Sequence, residues 1–176
     1  EPEEIRSALH DEVTEIKKLL KTKPNTSLLH EPELTIPEAR TVIKVLDHLI
    51  ISAFQTNREF YHLVVAKIVN LALKYGHTSD TAYGFAQYGT MLGSLWGYYK
   101  AGHEFGKFAV KLSEKYNNPA QKCKALCTMA GEITPWVRHM QYTTPIENEA
   151  YQIGLYAGEL QFAGFASLYK LLNWFY

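Results

Sequence analysis

Charge of one sign is not in excess: 18 Lys and Arg balance 18 Asp and Glu. That excludes the clustered basic surplus of a nucleic-acid footprint. Long hydrophobic runs are missing too. No stretch reaches the roughly 18 apolar residues that a spanning helix needs, and no basic-then-apolar secretory leader opens the chain. Cysteine is scarce, with Cys123 and Cys127 alone, spaced i and i+4 on one expected helix. A disulfide there would fight helix geometry. Plain buried thiols and a cytoplasmic location are therefore expected. Catalytic motifs are absent as well. There is no GxxxxGK[ST] phosphate loop, no HRD or DFG triplet, no glycine box and no G-x-S-x-G elbow. Gly93 and Gly97 flank Ser94 at the wrong offsets for such an elbow. The expectation is a non-enzymatic segment with no cofactor and no metal.

Metal chemistry has little to start from. The seven His are scattered, and no two stand three or four apart on one helix. Glu59-Phe60-Tyr61-His62 is an E-x-x-H, half of a di-iron bundle site, but the chain holds no second copy. Aromatics, by contrast, are plentiful, with 12 Tyr, 8 Phe and 3 Trp. Tyrosine joins an apolar body to a polar tip, which suits groove walls as well as cores. Packing between helices is the expectation for most of them.

Helix signals are dense and strand signals nearly absent. Ile5, Leu9, Val13, Ile16 and Leu20 fall on one face of a helix over 3–21. A loop from Thr22 to Leu34 leads to a helix over 37–54 opened by Pro37. Thr56-Asn57-Arg58-Glu59 reads as a capping box for a helix ending near Tyr75 and Gly76. Helices follow over about 81–96 (with Asp80 as cap), 98–116 after the Gly97 break, and 119–134 behind the Asn118-Pro119 cap. Pro135 ends or kinks the last of these. Thr144-Pro145-Ile146-Glu147 reads as a first-turn proline within a capping box, opening a helix to about Ala157, and a final helix covers about 160–175. Eight helices with short connections make the fold class all-α.

The chain also repeats itself. Gly76, Asn117 and Gly158 close similar helix ends 41 residues apart. Gly84-Phe85-Ala86 returns as Gly164-Phe165-Ala166, with a related stretch at Ala125-Leu126 between them. A fixed period of this size marks a stacked array of helix pairs. Gly and Ala at these sites are expected to let helices approach closely. The last helix, with Leu168, Leu171, Leu172, Trp174, Phe175 and Tyr176, lacks the polar face of a terminal capping helix. Together with the start at Glu1, this leads to the expectation of a piece of a longer chain, or of a homodimer through the apolar C-terminal helix. The chain reads as one helical-repeat domain over 1–176, with N-terminal helices over 1–56 and repeats over 57–176.

Residues 81–119 carry a family resemblance. Gly89 stands midway in a first helix, Gly97 and Tyr99 at the turn, Gly102 and Ala109 in a second helix, and Pro119 after it. This pattern resembles tetratricopeptide repeats, although the first helix is a residue longer than the usual unit allows and the period exceeds that unit. The wording from Thr81 to Gly89 and from Gly97 to Gly106 is similar to the helical region of large bacterial multidomain signalling proteins. Those proteins combine a serine/threonine kinase-like domain, an AAA-type ATPase domain, and often a GAF sensor and a histidine kinase. The resemblance implies a tetratricopeptide-like α-solenoid of about eight antiparallel helices. It further implies a regulatory scaffold whose partners are proteins or neighbouring domains, while the balanced charge and the lack of a long apolar run lead to the expectation of neither nucleic acid nor membrane.

In such arrays the first helices line an inner groove that takes peptides. Carried over from Gly89, the groove positions are Tyr83, Ala86, Thr90 and Ser94, then Thr128, Glu132 and Trp136, then Ala163, Ala166 and Lys170. Trp136 beside Arg138 has the composition of an interface anchor. Alternatively, Trp136 folds back to plug a gap between helix pairs. The candidate partner-binding residues are Tyr83, Thr90, Ser94, Glu132, Trp136 and Arg138. A rival reading is a stand-alone helical receptor or enzyme with a Tyr-rich pocket.

Overall fold

A computed structural model describes residues 2–23 and 28–173. Among these, eight α-helices form and no strand does, apart from one isolated bridge. The chain divides into two compact units, Glu1–Gly84 and Phe85–Tyr176, with the boundary inside one helix.

The first unit holds α1 (Pro2–Thr22), α2 (Pro37–Thr56), α3 (Arg58–Tyr75) and the opening of α4 (Thr81–Trp96). Both α1 and α2 pack on α3. α3 is buried almost all round, as expected for a central helix, through Tyr61, Val64, Val65, Ile68, Val69 and Leu73. α1 meets it with Val13 and Ile16, and α2 with Ile43, Ile50 and Ala53. Glu12 binds Lys67 at 2.7 Å beside this apolar seam. The cap of α3 differs from the expected box. Asn57, not Thr56, takes the cap position in extended conformation and accepts from the Phe60 N–H at 3.0 Å. The Thr56 hydroxyl turns back to the Ser52 carbonyl, and Glu59 pairs instead with Arg6 at 2.7 Å. At the far end Gly76 has φ +104°, and a Cβ there would collide with the Pro32 carbonyl oxygen. The strap around Pro32–Leu34 lies against it, bonded through Leu34 N–H to His77 O and His77 N–H to Pro32 O.

The second unit holds the rest of α4, then α5 (Tyr99–Lys115), α6 (Pro119–Thr128), α7 (Thr144–Ala157) and α8 (Leu160–Asn173). α6 packs on α5, α7 and α8, and α7 packs on α8. At the crossing of α4 and α5 two backbones touch. A Cβ on Gly89 would stand 2.6 Å from the Gly102 carbonyl oxygen, and a Cβ on Gly102 would strike the Gly89 carbonyl oxygen. Phe85, Tyr88, Phe105 and Phe108 interlock beside that crossing, with Phe85 edge-on to Phe108 at 4.8 Å and Tyr88 edge-on to Phe105 at 5.3 Å. Cys123 and Cys127 are buried thiols. Burial, with the charge of Glu159 adding, pushes Cys123 up to about 12, and its thiol donates to the Ala150 carbonyl.

Three expectations change here. The helix from Pro119 ends at Thr128 and widens into a π-turn over Met129–Ile133, followed by a 3-10 turn over Thr134–Trp136. Pro135 has no N–H and its ring would meet the carbonyl four residues back. The chain answers by lengthening the loop, with Thr134 N–H reaching Met129 O. α7 has no capping box. Thr143 is already helical, because a 3-10 turn over Met140–Tyr142 feeds straight into it, and its hydroxyl donates to Met140 O. Glu147 turns inward, 1% exposed, and accepts from the Asn173 amide. Finally, the echo is only half a packing signature. A Cβ on Gly84 would collide with Ile68, whereas Gly164 is exposed with nothing within 4 Å. The exposed face of α8 carries Leu160, Leu168, Leu171 and Leu172, while Trp174, Phe175 and Tyr176 lie outside the described residues.

The two glycine environments give opposite expectations. Gly102→Ala should destabilise the chain by about 1–3 kcal/mol through overpacking, and Gly164→Ala should stabilise it by up to about 1 kcal/mol through helix propensity. Urea unfolding of both variants checks this, and an equal effect would refute it. Glu147 supplies a pH signature. Burial raises its pKa above 4.5, against smaller opposing effects of Thr143 and Lys170, and its Oε2 has no hydrogen-bond partner. The folded state then holds a proton that the unfolded state releases, so stability falls as pH rises from about 4.5 through the raised folded value. Glu147→Gln is expected to raise Tm at neutral pH and flatten that slope in calorimetric scans.

Candidate functional site

Two open clefts occur in the second unit. The larger, about 430 Å³, lies between the end of α5 and the start of α6, with Glu114, Asn117, Lys122 and Tyr156 in its wall. Its cation is consumed, since Lys122 Nζ lies 2.8 Å from both Glu114 and Glu149. Hydrogen bonds to these two carboxylates raise the Lys122 pKa, as a closed triad should. One lysine between two carboxylates leaves this cleft with a net negative charge and no cation to spare.

The smaller cleft, about 290 Å³, is lined by Lys100, Ala101, His103, Glu104, Val137 and Arg138. Its construction starts at the end of α4. Gly93 has no side chain, and a Cβ there would stand 2.9 Å from the Tyr99 ring. That ring therefore lies directly on the α4 backbone. Gly97, at φ +70°, reverses the chain, with Tyr98 N–H bonded to Leu92 O. Trp136 then stacks on Tyr99, with centroids 5.4 Å apart and planes 19° apart. The segment bearing Trp136 is fixed from behind by two hydrogen bonds to Thr134 O, from Val137 N–H at 3.0 Å and Arg138 N–H at 2.9 Å. The π-turn thus does the placing. By absorbing the proline, it brings Trp136 and Arg138 to the α5 N-terminus. Trp136 is 65% exposed, so it plugs no gap.

The field in this cleft is positive. Burial lowers the His103 pKa, and Lys107 and Arg138 lower it further against the opposing charge of Glu104. His103 is therefore neutral at physiological pH, and the standing charges come from Lys100, Lys107 and Arg138, with Glu104 paired to Lys107 at 2.7 Å.

Of the six candidate residues, Arg138 lines this cleft, and Trp136 stands two residues before it, stacked on Tyr99. Thr90 and Glu132 meet, the Thr90 hydroxyl donating to Glu132 at 3.1 Å, but as a part-buried internal pair. Ser94 is exposed beside Gly93 in the last turn of α4. Tyr83, in the first unit, is 4% exposed and offers no surface to a partner. Ala86, Thr128, Ala163 and Ala166 are buried as well, so these helix faces point into the core and not into a groove. Lys100, His103 and Lys107 were not among the candidates. Their spacing of i, i+3, i+7 along one helix face is visible in the sequence. Tyrosine also departs from expectation. Tyr61, Tyr83 and Tyr88 are core residues, but Tyr75, Tyr98, Tyr99, Tyr142, Tyr151 and Tyr156 are exposed. Of the two clefts, only the larger includes a tyrosine.

Against known proteins, the chain is similar to a Dictyostelium discoideum protein described as hybrid signal transduction histidine kinase G. The two are 27% identical over 134 residues, which is 74% of this chain. The chain spans only about 4% of that relative's length. No family model and no solved structure matches.

Titration of His103 by NMR is expected to give a midpoint below 6.5. Replacing Lys107 and Arg138 by Ala together should move it upward without restoring the full value, because burial remains. An unchanged midpoint in the double variant would remove the cationic field from the description.

Proposed function

We propose that this chain is a non-catalytic helical-repeat scaffold within a signal-transduction kinase, working through protein–protein or interdomain contacts. The observation that carries the reading is the likeness to a hybrid signal transduction histidine kinase over 74% of the chain. On this reading the helices form a tetratricopeptide-like α-solenoid of antiparallel pairs, and its place is the cytoplasm. Supporting the repeat are the three helix ends with positive φ, Gly76, Asn117 and Gly158, set 41 residues apart, together with the glycine-on-glycine crossing of α4 and α5. Exposed Leu168, Leu171 and Leu172 of α8 offer an apolar face for a neighbouring helix or a second copy. The relative is from Dictyostelium discoideum, so the proposal is made without a bacterial source.

The open reading frame that encodes the chain tests this. A kinase or ATPase domain in the same frame is expected, and a frame that lacks both would overturn the reading. In parallel, the purified chain incubated with ATP is expected to release no phosphate above the buffer rate. Turnover that survives repurification would assign catalysis to the segment.

A further inference from the structure

We propose that the cleft between the α5 N-terminus and the Trp136–Arg138 segment docks an acidic stretch of protein that sets a carboxylate beside an apolar side chain. This rests on the scaffold reading and names the chemistry of one partner.

Three observations converge. First, Trp136 is backed by Tyr99 on one side and exposed over most of its surface, so a large apolar face is held rigidly in water. A rigid Trp next to Arg is the composition that anchors interfaces. Second, Lys100 and Arg138 line the cleft at its apolar edge with no ion pair to Glu104, which takes Lys107 instead. A carboxylate laid between them gains charge-assisted hydrogen bonds, and the positive end of the α5 dipole adds the same sign. Third, the basic face continues beyond the cleft. Lys111 extends the line of Lys100 and Lys107 along α5, so the cationic face reaches beyond the cleft wall.

A peptide fits better than a nucleic acid. Glu104 sits in the cleft wall, where it would face a phosphate backbone, and the chain has zero net charge with which to gather one. A polypeptide can place its carboxylates opposite Arg138 and Lys100 and leave Glu104 to a backbone N–H.

The test is fluorescence anisotropy with a fluorescein-labelled peptide of repeating Glu-Leu-Asp. Its comparators are the Lys-Leu-Lys counterpart, oligo-dT and vesicles containing phosphatidylserine. The Glu-Leu-Asp peptide is expected to saturate below about 1 mM and to weaken with added salt. Lys100→Glu with Arg138→Glu should weaken it by about tenfold or more. Trp136→Ala should weaken it severalfold, and Lys44→Glu on α2 should leave it unchanged. Shifts of the Trp136 indole and of the Tyr99 and Lys100 amides in NMR spectra of the unmodified chain should follow the same titration. No saturation, equal or tighter binding of any comparator, unchanged affinity in the charge-reversed variant, or shifts centred elsewhere would each overturn the proposal. If the reading frame carries a kinase or ATPase domain and the peptide does not bind, only the acidic-partner inference falls.

Discussion

The second unit depends on two helices touching through bare backbone. Gly89 and Gly102 bring α4 and α5 so close that each glycine's missing side chain is replaced by the other's carbonyl. That distance sets everything on the same axis. Four residues beyond Gly89, Gly93 is close enough for the Tyr99 ring to lie flat on α4, and Tyr99 in turn gives Trp136 its stacking partner. On the other side of the crossing, Phe85, Tyr88 and Phe105 fill the wedge that opens as the helices diverge. A wider crossing would cost both the aromatic core and the platform under the exposed tryptophan, because close-packed interiors transmit displacements instead of absorbing them.

The π-turn before Pro135 is the second constraint. A proline inside a helix ordinarily breaks or bends it. Here the wider turn takes the Thr134 N–H to Met129 O, five residues back, just before the proline that has no N–H to donate. The cleft is thus made by an irregularity, in keeping with how often π-turns sit where helical proteins bind.

Much of the fold was legible in the sequence, because it rests on local chemistry. Apolar spacing marked α1, Asn118 with Pro119 marked the start of α6, and Gly97 marked the break before α5. Gly89 and Gly102 were recognisable as close-contact positions because no other residue permits that approach. The errors came from interactions that sequence spacing does not encode. Thr144–Glu147 has the letters of a capping box, but the preceding 3-10 turn had already made Thr143 helical. Gly164 copies Gly84 in sequence, yet α8 is turned so that this position meets solvent. The groove positions failed for a related reason: the faces bearing Ala86, Thr128 and Ala166 look inward. Trp136 and Arg138 were singled out from composition, whereas the basic stripe of α5 drew no notice because a charged helix face is ordinarily read as solvated surface.

Gly76, Asn117 and Gly158 share one further property. Each stops a helix with a backbone angle reached without help from the following helix, and asparagine manages at Asn117, φ +53°, what glycine does at the other two. The three stops are not interchangeable: Gly158 lies in the left-handed region with ψ 12°, whereas Gly76 has ψ 178° and sends the chain out extended. Their equal spacing therefore fixes where each helix ends and leaves the direction in which the chain departs to be set at each stop separately.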